Sequence, residues 1–132
     1  MPSRNRAANV HLLAGLNGAG KTTHARRLER ECPAVRFTLD EWMLRLYQRR
    51  YDDPEYPDLA DRCRGLIWKT AQQVLSTGID VVLDWNLWSR SRRQIWRDKV
   101  ESAGHHPVLH YLAGLFQPPD STEGMEIRVV QQ

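Results

Sequence analysis

The chain has 132 residues and a formal charge of +3, with nearly all of its positive charge carried by arginine; this fits one domain with a true core and favours phosphorylated or polyanionic ligands only mildly. No apolar run approaches the roughly 20 residues of a membrane span, and the opening MPSRNRAANVHLLAGLNG has neither the apolar segment nor the cleavage site of an export signal, so a soluble cytoplasmic protein without a membrane segment is expected. Cys32 and Cys63 stand alone, without CxxC spacing or a His/Cys cluster, which argues against a zinc site or a disulfide framework and for two small core residues.

In chain order, the apolar run NVHLLAGL, residues 9 to 16, predicts a buried strand that ends in a glycine turn. From Lys21 to about Glu31 good helix formers follow, with Ala25, Leu28 and Cys32 on one side. VRFTL, residues 35 to 39, predicts a second strand. Thr38 to Glu41 has the form of a capping box that opens a helix whose Trp42, Met43, Leu46 and Tyr47 share a face. The prolines of YDDPEYPD forbid regular structure, and Asp58 is placed to cap a long helix to about Thr77, its apolar face Leu59, Cys63, Leu66, Ile67, Thr70 and Val74, with Gly78 as the stop. IDVVLD, residues 79 to 84, predicts a third strand. Ser89 caps a fourth helix to about Ala103, ended by Gly104. HPVLHYL, residues 106 to 112, predicts a fourth strand, and MEIRVV, after adjacent prolines, alternates well enough for a fifth. Strands alternating with helices predict an α/β fold, a parallel sheet covered on both faces with its working residues at the strand carboxyl ends.

The nine residues GLNGAGKTT carry the chemistry. Gly15, Gly20, Lys21 and Thr22 satisfy G-x-x-x-x-G-K-[ST] at every required position, between a predicted strand and a predicted helix. Glycines let successive backbone N–H groups converge on phosphate oxygens, and the helix that starts near Lys21 directs its positive dipole end at them. The expected nucleotide cradle is Gly15, Asn17, Gly18, Ala19, Gly20, Lys21, Thr22 and Thr23. In it Lys21 reaches the outer phosphates and the Thr22 hydroxyl ligates magnesium.

Asp40, just past the second strand, is placed to orient and deprotonate an acceptor hydroxyl; the plainer alternative is a carboxylate favoured in a helix's first turn by the dipole. Asp84 ends an apolar strand in the manner of a Walker-B aspartate and is the second candidate for magnesium, against the alternative of a strand-end residue capping a loop. In WNLWSRSRRQIWR the fourth helix aligns Arg90, Arg93 and Arg97, and Arg90 is the candidate to meet transferring or acceptor phosphate. Ile95, Trp96 and Val100 are expected to pack, while Arg92 and Arg97 also read as solvated surface. Tryptophans interleaved with arginines further resemble a nucleic-acid surface. The five histidines show no ligand spacing; His24, in the first helix turn after Lys21, reads as a surface residue, with an approach to nucleotide as the alternative.

Together, GLNGAGKTTHARRL, FTLDEW, the YDDP loop and VVLDWNLWSRSRR resemble the small P-loop kinases of the AAA_33 type, relatives of polynucleotide 5′-kinases, zeta toxins and chloramphenicol phosphotransferase, over residues 9 to about 112. The resemblance implies a three-layer P-loop NTPase fold of the kinase branch, with a parallel sheet of four to five strands, ATP and Mg2+ on Lys21 and Thr22, and Asp40 as base towards the acceptor. It also implies a helical lid with arginines after the fourth strand. Here HYL runs almost at once into FQPPDSTEGMEI, with no arginine between Arg97 and Arg128.

The expectation is a single nucleotide-binding domain over 1–132, with a flexible basic segment at 1–8 and a shortened lid region at 113–124. The expected reaction is γ-phosphoryl transfer from ATP to a hydroxyl of a small molecule or a nucleic-acid end. With the lid lost, Arg90 or Arg93 replaces its arginine, a partner supplies one, or turnover is slow. The alternative function is a lid-less ATP-binding module with little turnover.

Overall fold

A computed structural model describes residues 7–15, 20–48, 52–112 and 118–130. The elements are β1 (Asn9–Ala14), α1 (Lys21–Glu31), β2 (Ala34–Thr38), α2 (Leu39–Leu46), α3 (Tyr56–Leu75), β3 (Asp80–Asn86), α4 (Arg90–Ser102), β4 (His106–Tyr111), a single 3-10 turn (Ser121–Glu123) and β5 (Glu126–Val129). All five expected strands form, and they join one sheet in the order β2-β3-β1-β4-β5 with every pairing parallel. Such a sheet must be covered on both faces. Alternation along β1 and β3 turns Val10, Leu12, Val81 and Leu83 towards α2, α3 and α4, and turns Leu13 and Val82 towards Ala25 and Leu28 of α1.

Several local expectations are corrected. The long helix begins at Tyr56 rather than after Asp58, because Pro57 fits the first turn, where its missing N–H costs nothing. Its buried stripe is Ala60, Cys63, Ile67, Ala71 and Leu75, with Leu66 half exposed. The capping box at Thr38 does not form: Thr38 precedes α2 without a side-chain cap, since its hydroxyl donates to Asp84 on the neighbouring strand instead. On α2, Leu46 is exposed and Met43 is the buried anchor. Ser89 caps α4 as expected, its Oγ accepting from the Arg92 N–H at 3.2 Å, and on that helix Trp96 and Val100 pack while Ile95 is half exposed.

β1 is the centre of the sheet, and the chain leaves it towards α1 with β3 on one flank and β4 on the other. Connections run to opposite sides there, which opens a crevice at the strand carboxyl ends. Among the described residues no helix is long and apolar enough to cross a membrane.

Candidate active site

A cavity of about 650 Å3 occupies that crevice. From the glycine loop it is lined by Gly20, Lys21, Thr22 and Thr23, from the strand ends by Thr38, Asp84 and Asn86, and from the opposite wall by Asp40, Tyr56, Arg64, Trp88 and Arg92. Asn17, Gly18 and Ala19 lie outside the described residues. The described residues at the two ends of the loop are held in place. Gly20 adopts φ 91°, a left-handed conformation that glycine reaches without strain, and turns the chain straight into α1. The Gly15 N–H is tied to Asn86 Oδ1 at 3.3 Å, and Lys21 Nζ donates to the Gly15 carbonyl at 3.1 Å.

Asp84 is buried and accepts two hydroxyl hydrogen bonds on Oδ2, from Thr22 at 3.1 Å and from Thr38 at 2.9 Å. Thr38 is held in turn by the Arg36 guanidinium. Burial pushes the Asp84 carboxyl above the usual carboxylate range, and the two threonines only partly offset it. Burial likewise pulls the Lys21 ammonium below its usual value, against the pull of Asp84 and Asp40. A cation beside Asp84 and phosphate oxygens beside Lys21 would each favour the charged form that burial disfavours.

The residues present fit magnesium. Thr22 and Asp84 offer hard oxygen donors within one hydrogen bond of each other, and no group of three or more His, Cys, Asp or Glu able to hold a metal occurs among the described residues. Mg2+ takes few protein ligands and completes its shell with water and substrate phosphates.

Asp40, in the first turn of α2, faces this arrangement across the cavity and accepts from the Tyr56 hydroxyl at 3.3 Å. Arg90, expected to serve the site, stands apart from its described lining. Its guanidinium engages Thr122 Oγ1 at 2.8 Å and Asp120 at 3.4 Å. Arg93 is fully buried and forms a two-pronged pair with Glu123, Nε to Oε1 at 2.7 Å and Nη2 to Oε2 at 3.2 Å, while Arg97 reaches the Glu123 carbonyl. The aligned arginines of α4 therefore clamp the 120–124 segment. Arg92, which also reads as surface from the sequence, lines the cavity instead.

Several site residues escape the sequence reading. Tyr56 belongs to a stretch read as loop. Arg64 carried a usable signal, since it falls between Ala60 and Ile67 on the buried stripe of α3, where a charged residue is out of place. The histidines also escape it: His24, His110 and His11 form a hydrogen-bonded chain, 3.0 Å and 2.9 Å between ring nitrogens, that ends on the Asp80 carboxylate at 3.3 Å. No sequence spacing announces it, because α1, β4, β1 and β3 each contribute one member.

Comparison with known proteins gives this geometry a family. A sequence model described as an AAA domain, AAA_33, matches residues 10–122. The chain belongs to the AAA_33 family. Its structural relatives include a candidate kinase from Chloroflexus aurantiacus (16% identity, TM-score 0.67), where the match covers 82% of this chain and 60% of that one. An APS kinase from Mycobacterium tuberculosis aligns at 16% identity and TM-score 0.66, over 95% of this chain and 87% of the other. A structure of the PezAT chromosomal toxin–antitoxin system of Streptococcus pneumoniae aligns at 21% identity and TM-score 0.60, over 80% and 47%. At these identities the likeness establishes the fold, that of the P-loop kinases. No curated protein matches the sequence.

Proposed function

We propose that this AAA_33 protein is an ATP-dependent phosphotransferase that moves the γ-phosphoryl group to the hydroxyl of an acceptor bound in the 650 Å3 cavity. The observation that carries the reading is convergence: Lys21, the Thr22–Asp84 pair and Asp40 come from different segments and line one crevice at the carboxyl ends of a parallel sheet.

In this reading the glycine loop cradles the phosphates of ATP, with Lys21 against the outer ones. Thr22 and, through water, Asp84 would hold Mg2+, which would supply charge to offset the β- and γ-phosphate oxygens. Asp40 orients the acceptor hydroxyl and takes its proton as the acceptor oxygen bonds to the γ-phosphorus, while the bond to the bridging oxygen breaks and its electron pair leaves with ADP. Tyr56, hydrogen-bonded to Asp40, is a positioning residue for that carboxylate.

The test is a hydroxyl-acceptor screen that follows ADP formation, with Asp40→Asn beside the intact protein. Loss of about 10² to 10⁴ in turnover with MgATP affinity kept is expected of a general base. Equal acceptor turnover in the variant excludes the assignment of Asp40.

A further inference from the structure

The wall opposite the glycine loop carries positive charge and hydrogen-bond donors in excess of its partners. Arg64 from α3 and Arg92 from α4 both line the active-site cavity, and both also line a neighbouring cavity of about 510 Å3 between those helices, so the two guanidiniums stand where the cavities meet. Arg64 has one carboxylate, Asp61, at 2.6 Å on Nη1, and its Nε–H is buried without a partner among the described residues. Trp85, 6% exposed and also lining the active-site cavity, has an indole N–H in the same condition. A buried N–H without an acceptor costs on the order of 1–3 kcal/mol, and both residues that carry one line this cavity. Burial first, and the neighbouring charge of Arg92 second, hold the Arg64 guanidinium below its ordinary value. The half-buried Arg64 and the exposed Arg92 lie on the side of the cavity where Asp40 and Tyr56 stand.

We propose that Arg64 and Arg92 form an oxyanion site for the acceptor, so that the substrate class is a hydroxyl compound bearing its own phosphate, sulfate or similar group. The pairing suits such a ligand: planar guanidinium forks match tetrahedral oxyanions. Trp88, half exposed on the same wall, offers a flat face to the rest of the molecule. This inference rests on the kinase reading for the word acceptor, but the anion site itself does not depend on it.

The test is calorimetric titration of inorganic phosphate, at low ionic strength, into protein first saturated with MgAMPPNP so that the loop is occupied. Saturable phosphate uptake is expected, weakened about tenfold or more by Arg92→Gln, and by Arg64→Gln, as the loss of a charge-assisted contact implies. Arg92 is exposed on the first turn of α4, so its variant is expected to fold. Phosphate uptake equal in the intact protein and both variants overturns the site. So does AMPPNP binding weakened as much as phosphate binding, because the pair then serves ATP. If AMPPNP does not bind at all, the kinase reading fails by itself. The same phosphate titration into free protein then upholds the site if Arg92→Gln abolishes uptake and Lys21→Ala does not, and overturns it if the pattern is reversed.

Discussion

Arg92 and Arg93 are neighbours on one helix with opposite surroundings. Arg93 points into the molecule, fully buried. It spends its donors on both oxygens of Glu123 and on the carbonyls of Leu87 and Trp88, at 3.2 Å and 3.1 Å. Glu123 is also bound by the Asp120 N–H in a capping box, and Gly124 follows with φ 74°, where an added Cβ would stand 2.6 Å from Arg97 Nη1. This side of α4 is closed. On the cleft side, Arg92 lines a cavity together with Arg64 and Trp85, each of which keeps a buried N–H without a partner among the described residues. Charge paired inside the fold marks a part that holds it together, and charge that lines the cavity marks a part open to a ligand.

The comparison is sharpest in stability. Arg93→Ala leaves Glu123 buried without its counter-charge and is expected to cost about 3–5 kcal/mol, read as a large drop in denaturant midpoint. Replacing both partners together, as Arg93→Met with Glu123→Leu, is expected to recover much of that loss. A small effect of Arg93→Ala would break the contrast at its strongest point.

The histidine chain belongs with the closed side, and pH probes it. Asp80 can only accept, so His11 carries its proton on Nε2, and the order passes on through His110 to His24. Burial, aided by its two histidine neighbours, lowers the His110 pKa to about 3, and burial lowers His11 and His24 as well. An unfolded histidine protonates near about 6.5, so between that pH and about 3 the unfolded chain holds a proton that folded His110 refuses. The stability from a neutral His110 is full above the unfolded value and is lost as pH falls towards about 3, at about 1.4 kcal/mol per pH unit. Melting temperatures from pH 7 down to pH 4 are expected to fall steadily, and His110→Gln to flatten the slope. A flat profile in the intact protein would remove the chain from the closed side.

Two smaller effects test the open side. Tyr56→Phe removes one hydrogen bond to Asp40, worth about 0.5–1.5 kcal/mol, and is expected to slow acceptor turnover severalfold with MgATP affinity kept; no change would deny Tyr56 its positioning role. Arg92→Gln is expected to shift stability by no more than about 0.5 kcal/mol, since its side chain is exposed. A large loss of stability there would make Arg92 a second structural arginine.

The sequence made the fold and half of the site legible, for a physical reason. The glycine loop, Asp40 and Asp84 depend on local order, a strand end followed by a turn, and that order is written in consecutive residues. The opposite wall depends on how α3 and α4 lie over the sheet, which no single segment specifies. Helical periodicity correctly put Arg90, Arg93 and Arg97 on one face, but the face looks towards the 120–124 segment rather than the cleft. Thr38 shows the same limit. Its spacing to Glu41 fits a cap, and a buried carboxylate on the next strand takes its hydroxyl instead.

The central claim is that the crevice binds nucleotide through its loop, and calorimetric titration of MgATP into the intact chain and into Lys21→Ala tests it most directly. Saturable binding that weakens about tenfold to a hundredfold in the variant is predicted from the loss of a charged contact to phosphate. Equal binding by both proteins, or none by the intact chain, would contradict it.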